Sequence, residues 1–204
     1  MTVAVTGSFA SGKSTFVEML GALGAETASA DEIVHGLLSE DEETIVRVAE
    51  RFGENVLGEG GVDRRLLGRK VFRDAEALQD LEDILHPLVR RETDRRIAAS
   101  GADLFVAEIP LLFEGGRSGA FDYTVAVVVP EGRRRAWAAQ RGVGETALRA
   151  IEERQLPQQE KARRADVVVQ NDGDLDKLRE QAEELQEKIS RERSLGGRVR
   201  RQEA

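Results

Sequence analysis

The chain has 204 residues, a formal net charge of −8, 40% apolar and 33% charged side chains, and no cysteine. That length suits one α/β domain with room for an inserted subdomain. The acidic balance argues against a general nucleic-acid binder, and the missing cysteine excludes disulfides and thiolate metal sites. No run approaches the roughly 18 apolar residues of a membrane span. Met1–Thr6 enters an apolar segment with no basic region before it and no cleavage site after it. A soluble cytoplasmic protein is therefore expected.

Thr2–Thr6 is short and β-branched, the pattern of a buried strand. Gly7–Gly12 is a Gly/Ser-rich turn, and Lys13–Leu23 carries Phe16, Val17, Leu20 and Leu23 at helical spacing before the stop at Gly24. Glu26–Ala30 reads as a second strand ending at Asp31. From there to Ser100 the pattern is helical and charged, interrupted by a loop over Gly53–Gly61. Asp63 is placed to cap one helix, and Pro87 suits the first turn of another running to about Ala99. Asp103–Ile109 and Tyr123–Val129 are apolar strands. Arg133–Arg141 reads as a helix, Gly142 and Gly144 as a hinge, and Glu145–Glu160 as a polar helix broken at Pro157. Asp166–Gln170 gives a last strand. Asp174–Arg193 gives a helix with Leu178, Leu185 and Ile189 on one face, and 194–204 a flexible tail.

Strands alternating with helices imply a three-layer α/β/α fold around a parallel sheet, with ligands at the carboxyl ends of the strands. The expected organisation is a core from 1–30 and 101–193, a helical insertion over 31–100, and a lid over 141–160 within the core.

Gly7-Ser-Phe-Ala-Ser-Gly-Lys-Ser14 matches G-x-x-x-x-G-K-[ST] in full. Glycines let backbone N–H groups of Ser8, Phe9, Ala10 and Ser11 turn around phosphates, and the following helix N-terminus favours anions. Lys13 is placed to reach the β- and γ-phosphates of ATP, Ser14 to ligate Mg²⁺, and Thr15 to add a hydroxyl. The position between a strand and an amphipathic helix outweighs the alternative of a plain flexible turn. The chain thus reads as a P-loop kinase of a small-molecule hydroxyl.

Such a kinase needs a group for the acceptor hydroxyl. Asp31 fits that role and equally fits a helix N-cap. Glu108, at the end of the third strand, is a candidate magnesium carboxylate or an acid at a sheet edge. Glu114 is a weaker candidate. His35 and His86 belong to no metal-ligand pattern, and His86-Pro87 is expected to open a helix. Among the late arginines, Arg141 and Arg154 flank the glycine hinge and its helix, and are expected to close over the transferring phosphoryl.

Several matches in order and spacing resemble the dephospho-coenzyme A kinase family, up to about Arg193. They are the phosphate loop, Ser29-Ala-Asp31, Phe52-Gly53, Val62-Asp-Arg64 through Val71-Phe72, Leu85-His-Pro-Leu-Val89, Ile109-Pro-Leu-Leu-Phe-Glu114, Gln155 through Lys161, Ala165-Asp-Val167, and Asn171 with Gly173. The resemblance implies a nucleoside-monophosphate-kinase-like core, a helical domain for the acceptor, and a lid. It implies transfer from Mg-ATP to the ribose 3′-hydroxyl of dephospho-coenzyme A, giving coenzyme A. It makes Asp31 the base or orienting group and puts His86, Pro110 and Leu111 on the acceptor side. It adds Asn171 and Arg154 to the ATP site. The chain departs from the family pattern at Ser8, Ala10, Ser29, Glu108 and Ile151, the last standing where an arginine is common. A kinase of another small acceptor, such as a nucleoside or nucleotide, shares the loop and lid, and a non-catalytic nucleotide-binding module would explain Ser29 and Glu108. The charged last helix could serve an interaction protein, but its apolar stripe more simply packs on the core. A monomer or weak homo-oligomer is expected, with no nucleic-acid or membrane partner.

Overall fold

The computed structural model describes residues 1–71 and 74–195, and the expected tail from 196 and Phe72 lie outside them. The chain divides into two compact units, Met1–Ala28 with Ser100–Ala204, and Ser29–Ala99.

The first unit is built on five strands: β1 (Thr2–Thr6), β2 (Glu26–Ser29), β5 (Phe105–Glu108), β6 (Tyr123–Val128) and β7 (Val167–Gln170). Their order is β2-β5-β1-β6-β7. β1 pairs in parallel with both β5 and β6, and β6 in parallel with β7. β1 is therefore the strand at which the winding reverses, and the loop after it opens at the crevice where such sheets bind ligands.

Alternation along the buried strands sends Val3, Val5, Val125 and Val127 to one face. There they pack with Phe16 and Leu20 of α1 (Lys13–Ala22) and with Leu178, Leu185 and Ile189 of α9 (Leu175–Ser194). The expected stripe on the last helix is thus a core stripe, and its expected cap Asp174 accepts from the N–H groups of Asp176 and Lys177. α8 (Gln158–Arg164) packs on β6. The polar helix expected over Glu145–Glu160 is two helices: α7 (Glu145–Glu152) ends five residues before Pro157, and Pro157 is the N-cap of α8.

Register is pinned by two side-chain latches of the same design. The Asp122 carboxylate accepts from Thr2 N–H at 2.7 Å and Thr2 Oγ1 at 3.1 Å, while the Asp122 N–H donates to Thr2 Oγ1. One strand further, the Asp166 carboxylate accepts from Thr124 N–H at 2.8 Å and Thr124 Oγ1 at 2.7 Å, and the Asp166 N–H donates to Thr124 Oγ1. Each aspartate stands just before its strand, so each latch adds a rung ahead of the backbone ladder. A one-residue slip would break the latch and turn every side chain to the wrong face.

The second unit holds α2 (Ala30–Glu40), α3 (Glu42–Phe52), α4 (Arg64–Val71) and α5 (Ala75–Ala99). A small hairpin of β3 (Leu57–Gly58) and β4 (Gly61–Val62) forms in the segment expected to be loop. Leu38, Val48, Phe52, Val62, Leu67 and Leu81 are among the residues of its separate core. Asp41, Asp63 and Asp74 each accept from N–H groups two or three residues ahead and cap α3, α4 and α5. The Thr44 hydroxyl and N–H hold the Asp41 carboxyl below its usual range, and the Leu66 N–H does the same for Asp63.

Two expectations fail here. Pro87 does not open a helix; it lies inside the 25-residue α5, with His86 beside it in mid-helix. Proline lacks the N–H for one helical bond, but Ala77, Leu81, Leu85 and Leu88 form a buried stripe that runs through the position and holds the helix on its core. Asp31 is not an N-cap either. Ser29 takes that position and Asp31 lies in the first turn of α2, exposed, where a negative charge suits the helix dipole.

Candidate active site

The phosphate loop occupies residues 7–14, between β1 and α1. At two positions only glycine fits. A Cβ on Gly7 would come within 2.5 Å of the Val127 carbonyl oxygen. Gly12 has φ +84, and a Cβ there would run into the Asn171 amide nitrogen. That Asn171 side chain, buried on the loop after β7, donates to the Ser11 carbonyl at 2.9 Å and accepts from Gly173 N–H at 3.1 Å. Asn171 therefore braces the loop's shape.

Ala10 has φ +58, the left-handed region, which costs an L-residue about 1 kcal/mol or more. Where the family usually has glycine, this chain holds the strained backbone with a methyl that is itself buried.

α1 begins without a side-chain cap and without an acid in its first turn, so its amide groups keep their anion-binding capacity. Lys13, buried, donates from Nζ to the Ser8 carbonyl at 3.0 Å, curling over the loop it is expected to serve. Ser14 Oγ donates to Glu108 Oε1 at 3.0 Å. Glu108 is buried on β5, which lies between β2 and β1, so it is not an acid at a sheet edge. A hydroxyl and a carboxylate in contact at a phosphate-binding helix start are hard oxygen donors suited to Mg²⁺, which typically takes one or two carboxylates and completes its shell with phosphates and water. Among the described residues no group of three or more His, Cys, Asp or Glu side chains could hold a metal.

α6 (Glu131–Gln140) leads into the segment 141–160 expected to form a lid, and α7 lies within that segment. Arg134, buried, joins them by pairing with Glu131 at 2.9 Å and with Glu152. Arg141 caps the end of α6, with its guanidinium 6.0 Å above the Phe9 ring, and Gly142 follows at φ +75. Arg154 is exposed in the turn after α7. A cavity of about 260 Å³ beside the phosphate loop is lined by Gly12, Thr15, Trp137, Gln140, Arg141 and Asn171 among others.

The structure adds a group that pattern reading missed. Lys161, with no exposed surface, donates to the Pro110 carbonyl at 2.6 Å and pairs with Glu114 at 2.9 Å. Glu114 also accepts from Leu156 N–H at 2.8 Å, and the Pro110 carbonyl accepts from Thr6 Oγ1 at 3.0 Å. Gln158 clamps the next stretch by exchanging hydrogen bonds with both backbone groups of Val129. Pro110 thus acts as a backbone acceptor that ties β1, β5 and α8 together, and Leu111 sits beside it. Burial pushes the Lys161 ammonium pKa down, and the Glu114 charge partly offsets this. In sequence Lys161 sits in a polar run, Gln-Gln-Glu-Lys-Ala-Arg-Arg, and only its place in the family pattern marked it. Asp31 and His86 lie in the second unit, His86 half-buried on α5.

A β-α fold with a phosphate loop after the switch-point strand, a lysine on that loop and a serine–carboxylate pair at the helix start defines a P-loop phosphotransferase. Fold likeness extends to shikimate kinase from Acinetobacter baumannii, at a TM-score of 0.56 and 13% identity over 93% of each chain. The particular family follows from closer matches. The dephospho-CoA kinase family model matches residues 1–177. Dephospho-CoA kinase from Syntrophotalea carbinolica is 37% identical over 194 residues, 93% of this chain and 92% of its own. The solved dephospho-CoA kinase from Campylobacter jejuni superposes at a TM-score of 0.68, with 29% identity over 93% of this chain and 97% of that one. The chain belongs to the dephospho-CoA kinase family and is a phosphotransferase.

Proposed function

We propose that the protein transfers the γ-phosphoryl of ATP to the ribose 3′-hydroxyl of dephospho-coenzyme A, yielding coenzyme A in the cytoplasm. The observation that carries this is the phosphate loop with Lys13 over it and Ser14 against Glu108, in a chain of this family.

The chemistry needs placement and charge more than covalent help. The phosphate loop over residues 8–15 holds the ATP phosphates through amide groups other than the Phe9 N–H, which Gln155 takes, and Lys13 offsets charge that builds on the transferring group. Ser14 and Glu108 are the residues that would hold Mg²⁺. That ion would supply neutralisation of the negative charge on the transferring phosphates. Asn171 keeps the loop in shape beside the nucleotide. Asp31 orients or deprotonates the acceptor hydroxyl, a role supported by its place in the family's acidic segment and by its exposure. His86, Pro110 and Leu111 serve the acceptor side. For Pro110 the hydrogen bonds from Lys161 and Thr6 support a positioning role for its backbone. Arg141 and Arg154 complete the closed lid, which excludes water that would otherwise hydrolyse ATP. The protein acts as a monomer or weak homo-oligomer, without nucleic acid or membrane as partner; among the described residues no helix is long and apolar enough to cross a membrane.

The test is incubation of the purified protein with Mg-ATP and dephospho-coenzyme A, followed by mass spectrometry. Coenzyme A that requires both substrates is expected. ATP binding without that product overturns the acceptor assignment, and a panel of nucleosides and nucleotides then identifies the acceptor.

A further inference from the structure

Phosphate loops are built from small residues because their backbone must approach the ligand. In this chain two successive loop residues carry side chains that turn the other way. The Ala10 methyl is 4% exposed and shares a small apolar cluster with Ala138 of α6 and Leu148 of α7, and Phe9, Trp137 and Val143 pack around it. The contact is reinforced at both ends of the lid. The Arg141 guanidinium lies over the Phe9 ring where α6 ends. Gln155, on the return from α7, accepts the Phe9 N–H at 3.0 Å. Ala10 keeps a left-handed backbone that glycine would adopt without strain, so the methyl is retained against a conformational cost and its burial under the lid offsets it.

We propose that Phe9 and Ala10 are positioning residues, forming an apolar seat on the phosphate loop that sets where the lid rests. Grip on the ATP phosphates and placement of the lid then become one mechanical unit: a loop shaped correctly around phosphate presents the seat, and a seated lid holds Arg141 at the loop. The reacting atoms are not touched by either side chain. The inference rests on the phosphate-loop reading but not on the identity of the acceptor.

Trp137 is the only tryptophan of the chain and lies in this cluster, so its emission reports lid seating directly. Acrylamide quenching and Mg-ATP titration, both followed by Trp137 fluorescence without acceptor, are compared for the wild type, Phe9→Ala and Phe9→Leu. Phe9→Ala is expected to make Trp137 more quenchable, to shift its emission to the red, and to weaken Mg-ATP binding about tenfold, the size expected when a half-buried aromatic contact is lost. With acceptor present, the ratio of ATP hydrolysed to product formed should rise, because an unseated lid admits water. Phe9→Leu, still apolar, should restore most of each. A loss of melting temperature alone would mark a merely structural role. Unchanged quenching, ATP affinity and hydrolysis ratio in Phe9→Ala overturn the proposal. Should that variant not fold, Ala10→Gly decides: it removes the methyl while relaxing the backbone, so raised quenching at an undiminished melting temperature supports the seat, and wild-type quenching overturns it.

Discussion

Replacing Glu114 by glutamine keeps its size and its acceptor for the Leu156 N–H, but removes the carboxylate charge paired with the buried Lys161 ammonium. Lys161 has no exposed surface, so water cannot take over the solvation. Removing one partner of a buried pair costs about 3–5 kcal/mol. The bond to the Pro110 carbonyl survives the change, which puts the expectation near the lower end, about 3 kcal/mol at pH 7. For a chain of this size that lowers the melting temperature by roughly 6–12 °C. The pH dependence identifies the cause. Burial holds the folded-state pKa of Lys161 below its ordinary 10.5, and without the Glu114 charge it falls further. The unfolded chain then binds more protons than the folded one between the lowered pKa and 10.5, so stability rises with pH in that window. Below the lowered pKa the penalty is present in full, and it is relieved as pH rises through that value. Urea unfolding followed by far-UV circular dichroism should therefore show a gap to the wild type that is full at neutral pH and narrows as pH rises through the variant's further-lowered Lys161 pKa towards the wild-type one, both below 10.5. A loss under about 1 kcal/mol, or a gap that ignores pH, would refute the reasoning. Replacing both partners by apolar residues should cost much less than the single change, since no buried charge is then left unpaired.

Lys13→Ala should cut turnover about 10²-fold or more while the chain still folds; steady-state kinetics and circular dichroism check it, and full activity in a well-folded variant removes the phosphate-loop reading. Asp31→Asn should leave ATP affinity unchanged and lower kcat about 10²–10⁴-fold, and near-wild-type turnover would take Asp31 out of the acceptor role. Asp166→Ala strips the acceptor from both the N–H and the hydroxyl of the buried Thr124. It should cost about 2 kcal/mol in urea unfolding, and a change below about 0.5 kcal/mol, the level of a neutral surface change, would show that the latch does not hold the strands.

How much of this was legible depended on distance along the chain. The phosphate loop was readable because strand, turn and helix start lie within the first two dozen residues, and local backbone geometry dictates each residue type there. The stripe on α9 was readable because 3.6-residue spacing is a local property. The family pattern extended the reading to segments whose own patterns were mute, Lys161 among them. The His86-Pro87 pair misled because proline's preference for a helix start is local, whereas the buried stripe through α5 decides that the helix continues.

The sequence by itself determined a parallel α/β phosphate-binding protein: alternation, helical periodicity and an eight-residue loop each encode their geometry within a few residues. Only the tertiary structure decided which charges are buried and with what. Ser14 meets Glu108 across 94 residues, Lys161 meets Pro110 across 51, and Phe9 meets Gln155 across 146. A polar residue's chemistry is set by the dielectric and partners around it, and these are supplied by segments brought together only when the sheet closes on its helices.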